Sequence, residues 1–472
     1  MLDRRRSEPL AVQVADALRA AASGGVLRAG DRLSSTRALA ARLGVSRTVT
    51  AAAYDQLLAE GWLVGRRGSG TFVTAAPPMG RRHATVAAHG RRGQATPVAA
   101  PAPARAAPID LTSGRPCLDA LDRAAWRRAW RVASDRSPAV EPDYAGRIEF
   151  RQAVVDHLLR HRGLPAHPER VLATAGTTAA LDEIAALLPA RATVAFEEPG
   201  YRRAAETLAA RHIRVVPVPV DENGLRVDRL PTGLAAVYCT PAHQFPLGPR
   251  MSAPRRVALV ERARADGFLV FEDDYDGELR YDVAPLPLLA ALGPDVVVHL
   301  GTASKLLTPT LGVGWLVAPP ALQARVLAAR DRAGMRPSPA GQLVFEALAD
   351  YGDLARHLRR LRAELTERRG CVVRALAGTG AAPHGDAAGA HLWVALPSEA
   401  AEGAVVAGAA EAGILVQGLR EHHRGAAEVF GVSLGYAGPS RADLERGVAT
   451  VADLVRRART AECPDASTGR SS

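Results

Sequence analysis

Lysine is almost missing from this 472-residue chain: of its 60 basic residues, Lys305 is a lysine and the other 59 are arginine. Cysteine is scarce too. Cys117, Cys239, Cys371 and Cys463 form no CxxC pair and no disulfide framework, which fits a reducing compartment. No apolar run of about 18 residues occurs, so a membrane-spanning helix is excluded. The start, MLDRRRSEPLAVQV, lacks the apolar stretch of a signal peptide, and a cytoplasmic location is expected. What is present is 47% hydrophobic residues, enough for a sizeable core and against disorder of the whole chain; the length suits two or three domains.

The net charge of +11 is unevenly placed. Residues 1–108 hold 16 Arg against 6 acids, a net of +10, and the remainder is close to neutral. A nucleic-acid-binding domain joined to a neutral globular domain has this asymmetry; a basic solvated tail would share it. Residues 74–108 are rich in Ala, Pro, Gly and Arg without apolar periodicity and read as a flexible linker. The end, 461–472, reads as a frayed, disordered tail. No internal repeat is found.

Residues 1–73 read as a DNA-binding domain. Leu10, Val14 and Leu18 recur every fourth residue on one helix face. Ser35 can cap a second short helix carrying Leu39 and Leu43. In LGVSR, Gly44 permits a turn and Ser46 can cap a third helix from Arg47 to about Glu60. Two short helices a turn apart form a helix-turn-helix, whose second helix offers its first residues, here Ser46, Arg47 and Thr48, to the major groove. Trp62-Leu63-Val64 and Thr71-Phe72-Val73 flank GRRGSG, a hairpin with a basic tip suited to phosphate or minor groove. A three-helix unit of this kind could also serve protein contacts; the basic caps and basic hairpin favour DNA. The stretch PLAVQVADALRAAASGGVLRAGDRLSSTRALAARLGVSRTVTAAAYDQLLAEGWLVGRRGSGTFV resembles the winged helix of GntR regulators over its whole length, with Ser34 in place of the family's proline. The resemblance implies DNA contacts from Arg37, from Ser46, Arg47 and Thr48, and from Arg67, Gly68 and Gly70.

The rest alternates short apolar runs with helical stretches: 192–196, 213–218, 234–239, 267–271 and 295–300. Such alternation predicts an α/β fold with a mostly parallel sheet covered on both faces, and ligands bind beyond the C-terminal strand ends of such sheets. Polar clusters follow these runs: EEPGY (197–201), TPAHQFPLG (240–248), EDDYD (272–276) and GTASK (301–305). Lys305 lies in the last. A lysine that survives where arginine has replaced all others marks a place where guanidinium cannot substitute. Arginine is never deprotonated in a protein, whereas lysine can be a nucleophile toward a carbonyl, forming a Schiff base.

A Schiff-base lysine points to pyridoxal 5'-phosphate (PLP), which needs an acid at its pyridine nitrogen, a donor at its phenolic oxygen, an aromatic face and backbone N–H groups for its phosphate. Asp273 suits the first. Tyr275, two residues on in an extended segment, points the same way and suits the second. Tyr201 could stack. AGTTAALD (175–182) is a Gly turn opening a helix with Thr177 and Thr178 at its positive end. Each also has a plain structural reading, and the weight lies in the set. Residues 109–460 resemble fold-type I aminotransferases, specifically the aminotransferase-like domain of MocR regulators, through DYAGRIEFR (143–151), AGTTAALD, EEPGY, TPAHQFPLG, EDDYDGELRY (272–281), GTASK and RHLRRLR (356–362). The resemblance implies a large part to about residue 325 and a small part after it. It implies Lys305 as the Schiff-base lysine, Asp273 at the pyridine nitrogen, Tyr275 at the phenolic oxygen, and Tyr201 stacking. Thr177, Thr302 and Ser304 fall near the phosphate, and Arg203 at an effector carboxylate. No metal ligands are implied.

Three positions depart from the family pattern. Gly312 stands where a phosphate-binding Arg is usual, and Glu141 where a Tyr reaches the partner's phosphate, unless Tyr144 takes that role. Ser433 stands where an Arg usually holds a substrate carboxylate, which argues against efficient transamination. The implied function is a PLP-dependent, DNA-binding transcriptional regulator of vitamin B6 or amino-compound metabolism genes. It would be a homodimer on a double-stranded operator, its aminotransferase-like domain sensing an amine or PLP rather than turning substrate over. The alternatives are an active aminotransferase with an accessory DNA-binding domain, and a DNA-binding scaffold whose pocket has lost its cofactor.

Overall fold

The computed structural model describes residues 9–23, 26–59, 62–66, 70–74, 107–281 and 287–461. Arg67 and Gly68, residues 75–106 of the stretch 74–108 expected to be a linker, and residues 462–472 of the expected tail 461–472 lie outside the described residues. The chain divides into two units, 1–101 and 102–472.

In the first unit the fourfold spacing of Leu10, Val14 and Leu18 gives α1 (Leu10–Ser23), with Val14 fully buried. The Ser35 hydroxyl accepts from Ala38 N at 3.2 Å and opens α2 (Thr36–Leu43). That helix stops at Gly44, whose φ of 63° is a conformation few other residues adopt cheaply. The third helix, α3 (Arg47–Ala59), follows after two residues, and Ser46 Oγ accepts from Val49 N. Tyr54 crosses to α2's approach, donating its hydroxyl to Ser34 O at 2.8 Å. The strands β1 (Leu63–Arg66) and β2 (Gly70–Val73) pair antiparallel. Val14, Ala53, Tyr54, Leu57, Trp62, Leu63 and Val73 share one small core that fixes hairpin and helices together.

The second unit opens with a short strand, β3 (Ile109–Asp110), and two helices, α4 (Arg123–Ser134) and α5 (Ile148–Arg162). Its main sheet comprises β4 (Val171–Thr174), β5 (Thr193–Glu198), β6 (Arg214–Asp221), β7 (Gly224–Leu225), β8 (Ala236–Cys239), β9 (Leu269–Asp274), β10 (Val297–Thr302) and β11 (Gly314–Val317). Their order is β4-β11-β10-β9-β8-β5-β6-β7. The pairs among β6, β5, β8, β9 and β10 are parallel; β11 runs antiparallel between β10 and β4. Alternate residues serve two cores. Val194, Phe196, Tyr238, Phe271 and Val298 pack on one face, beneath α6 (Thr177–Ala185) and α7 (Arg202–Ala210). Ala195, Val237, Cys239, Val270 and Val297 pack on the other, with the helices Ile148–Arg162 and Ala253–Asp266. This is why the strands read as near-continuous apolar runs.

A smaller antiparallel sheet follows, from β12 (Pro383–His384), β13 (His391–Ala395), β15 (Gln417–Gly418) and β16 (Gly431–Gly435), in the order β12-β13-β16-β15. Between its strands, β14 (Ile414–Leu415) turns back to pair with β3. Inside the main sheet's edge, Arg162 holds Asp274 through two hydrogen bonds of 2.7 and 2.8 Å, both side chains fully buried. That pair pins the end of β9, the strand that carries the central acid of the site.

Candidate functional site

The polar clusters do end successive strands, and they meet. Asp273 sits on β9 and is 4% exposed. Its Oδ2 accepts a 2.5 Å hydrogen bond from Tyr238, whose ring stacks on Phe196. Its Oδ1 is buried with no partner in hydrogen-bond geometry, and the Thr177 hydroxyl is near enough to help hold the carboxyl down. Burial pushes this carboxyl up to about 7, against the opposing pull of the Tyr238 hydroxyl and of Lys305. Lys305 follows β10, and its ammonium donates to Gly114 O at 2.5 Å. Burial lowers its pKa, and the nearby Asp276 and Asp273 carboxylates resist that shift.

Tyr275 lies in a bend, because β9 ends at Asp274 rather than extending through it. The extended geometry expected from the sequence therefore stops one residue short. The phenol donates to the His243 carbonyl at 3.0 Å, with His243 Nδ1 at 3.2 Å. Tyr201 precedes α7 and packs edge-on against Phe245, ring centres 5.7 Å apart. Thr177 is buried at the first residue of α6, after Gly176 with φ of 126°. Thr302 Oγ1 donates to Ser304 Oγ at 2.9 Å, and a Cβ on Gly176 would lie 3.5 Å from that same Thr302 oxygen. A Cβ on Gly314 would meet Gly301 O at 2.6 Å and Gly176 Cα at 2.7 Å, so three backbones converge where only glycine fits. Arg203 is exposed on the first turn of α7, near enough to help depress the Lys305 amine.

The departures have structural consequences. Gly312 adopts φ of 61°, with open space where a side chain would project. Ser433 is fully buried on β16, its hydroxyl 2.5 Å from that of Ser113. Glu141 is exposed and Tyr144 half-buried.

Sequence reasoning missed several residues. Glu197, inside EEPGY, is buried and raised to about 7 by burial, while its Oε2 accepts from Thr240 N and Oγ1 at 3.1 and 2.6 Å. Gln244 donates to Pro199 O and Phe245 O, tying two of the strand-end loops together. His391 was given no role, yet its ring lies 4.9 Å from that of His243.

In the first unit Arg37, Ser46, Arg47 and Thr48 are all exposed around the start of α2 and α3. Gly70 opens β2 with φ of 108°, and a Cβ there would lie 3.0 Å from Arg32 Nε. Arg32, unremarked in the sequence, is thus a further exposed cation at the hairpin.

Residues 10–73 match the gntR family of bacterial regulatory proteins, and residues 106–451 match the class I and II aminotransferases. The chain is similar to the HTH-type pyridoxine biosynthesis transcriptional regulator PdxR of Corynebacterium glutamicum, 39% identical over 77% of this chain and 79% of that one. It is also similar to the probable rhizopine catabolism regulatory protein MocR of Rhizobium meliloti, 34% identical over 79% and 78%. Among solved structures, an archaeal alanine:glyoxylate aminotransferase superposes with a TM-score of 0.70 at 25% identity, covering 74% of this chain and 91% of that one. Among the described residues no helix is long and apolar enough to cross a membrane.

Proposed function

The chain belongs to the MocR-type GntR regulators, in which a winged helix is joined to a class I and II aminotransferase domain, and from that premise we propose a PLP-dependent transcriptional regulator. The observation that carries the cofactor reading is Asp273 Oδ1: a fully buried carboxylate oxygen with no partner, on a strand end beside the one lysine. A buried acid held near 7 is stabilised as an anion by a cation placed against it, which is what a protonated pyridine nitrogen offers. The residues present fit the group. Lys305 supplies an amine whose protonated form burial disfavours, Tyr275 a phenol, and Tyr201 an aromatic face. Thr177, Thr302, Ser304 and the N-terminus of α6 supply donors for a phosphate.

When bound, PLP supplies an electrophilic aldehyde on an electron-withdrawing ring. Lys305, in its unprotonated form, would hold the aldehyde, and Asp273 would hold the ring nitrogen in its charged form. Arg203 is placed for the carboxylate of an amine effector. Ser433, held by Ser113 inside the small sheet, offers no second cation for a carboxylate, which supports sensing over turnover. Regulation requires the effector to bind two states of the protein with different affinity. The DNA-facing residues are Arg37, Ser46, Arg47, Thr48 and the hairpin residues Arg67, Gly68 and Gly70. A homodimer in the cytoplasm on a double-stranded operator completes the reading. The 39% identical relative, named for pyridoxine biosynthesis, directs the search for target genes to vitamin B6 synthesis.

The test is optical and electrophoretic. Full-length protein mixed with PLP develops the absorbance band of lysine-bound cofactor, and Lys305→Ala lacks it. Binding to the chain's own upstream DNA weakens steeply with salt. A wild-type protein with no band, or salt-insensitive binding, overturns the respective half. Steady exchange of an amino group between donor and keto acid would establish the aminotransferase alternative.

A further inference from the structure

Three buried side chains beside this pocket have no part in the reading above. His243 follows β8, Asp276 lies in the bend after β9, and His391 opens β13. Their exposures are 2%, 3% and 2%. One ligand-type atom of each lies within 4.8 Å of the other two, and among the described residues no other three His, Cys, Asp or Glu converge in this way.

The hydrogen bonds leave ligating capacity unspent on all three. His243 Nδ1 is 2.9 Å from Asp276 Oδ2, while His243 Nε2 and Asp276 Oδ1 are buried with no partner. His391 Nε2 faces the Pro246 carbonyl at 3.2 Å; a carbonyl only accepts, so that nitrogen carries the proton and Nδ1 carries a lone pair. Burial holds His391 neutral, with His243 adding to the shift. An unmet buried polar atom costs about 1–3 kcal/mol, and this hydrogen-bonded pair carries two. The packing is equally particular. A Cβ on Gly389, whose φ is 65°, would lie 2.4 Å from the His243 ring and 2.5 Å from Asp276 Oδ2, so only glycine leaves this pair its space.

Two imidazoles and one carboxylate, with a backbone carbonyl orienting one imidazole, are the donor set of first-row divalent transition metals. Mg2+ and Ca2+ prefer all-oxygen sites. We propose that His243, Asp276 and His391 bind one divalent transition cation of the zinc type beside the cofactor pocket. The site does not depend on the cofactor reading. Its neighbours, Tyr275 through His243 and Lys305 through Asp276, would sense its occupancy.

The experiment uses the full-length protein, prepared without a histidine tag, stripped with chelator, incubated with Zn2+ or Mg2+, and passed through gel filtration. Elemental analysis is expected to find one Zn2+ per chain and no retained Mg2+. His391→Gln and Asp276→Asn are each expected to lose at least nine-tenths of the bound Zn2+. His422→Gln, at a buried histidine outside the cluster, keeps it. Circular dichroism confirms that each variant is folded. If a cluster variant is unfolded, visible absorption of wild-type protein loaded with Co2+ decides instead, because histidine-bound Co2+ has an intense band that the aquo ion lacks. Wild-type protein that retains no Zn2+, or cluster variants that retain as much as wild type, overturns the proposal. So does a cluster that binds no metal but whose variants shift the pH dependence of the cofactor band, which would make it a proton relay. Metal uptake is measured with and without PLP, so loss of the cofactor band with intact uptake counts against the cofactor reading alone.

Discussion

The two units arrange their working residues in opposite ways. In the first, Arg37, Ser46, Arg47 and Thr48 stand in water on short helices whose core is a handful of apolar side chains. In the second, Asp273 and Glu197 are buried under two full layers, and each is raised to about 7 by loss of water. An exposed cation acts through long-range attraction that salt screens; a buried acid acts through a desolvation cost that salt barely touches. The chain's net positive charge lies with the exposed cations of the first unit, and its one lysine lies beside the buried acid of the second.

The largest effect that would sharpen this contrast is at Lys305. Both Lys305→Ala and Lys305→Arg are expected to abolish the cofactor band entirely, because guanidinium keeps its proton. DNA binding by the cofactor-free protein should not change. A band that survives in the arginine variant would break the argument from composition. Next is Arg47→Ala, expected to weaken operator binding about 10- to 100-fold, the scale of one lost base-edge contact of about 1–3 kcal/mol. It should also leave the cofactor band intact, measured by titration on the same sample.

A third prediction concerns pH. Asp273 is about 7 when folded and ordinarily 3.8. Between those values the folded, cofactor-free protein holds a proton that the unfolded chain releases, so this group's contribution to stability falls as pH rises from about 4 to about 7 and is flat above. Asp273→Asn removes that slope. The melting temperature of the variant minus that of wild type should therefore grow by a few degrees between pH 5 and pH 8 in calorimetry, and a constant difference would show that the carboxyl is not shifted. The smallest effect is at Gly312→Arg. The left-handed backbone costs a side chain about 1–2 kcal/mol, yet the space there is open, so a drop of a few degrees or less is expected. A gain in PLP affinity alongside that drop would mark Gly312 as the missing phosphate contact.

Much of the fold was legible because its signals are local. The helix caps at Ser35 and Ser46, the stop at Gly44 and the apolar runs of the parallel strands each depend on a few neighbouring residues. The runs start one or two residues early, since flanking apolar residues such as Phe268 and Leu234 are buried without joining a ladder. Lys305 was legible through composition, and Asp273 through its place after a buried strand. Tyr275 could be named from the sequence, but neither the bend it lies in nor its hydrogen bond to the His243 carbonyl could. His391 carried no signal at all. It meets His243 because the small antiparallel sheet packs against the loop after β8, a contact spanning nearly 150 residues, as His391 with Pro246 shows.

By itself the sequence determined the kinds of group available: one amine that can lose its proton, acids at strand ends, glycine at the tight turns, and net positive charge concentrated near the start. These follow from side-chain chemistry and short-range sterics. The tertiary structure alone decided which groups lose their water and their partners. Asp273 Oδ1 is left without a hydrogen-bond partner only in the assembled core, where the Tyr238 hydroxyl takes the other oxygen. Ser433 faces Ser113, and His243 meets His391, only once distant segments pack. Burial is a property of the assembled core, and pKa, reactivity and metal affinity follow from burial.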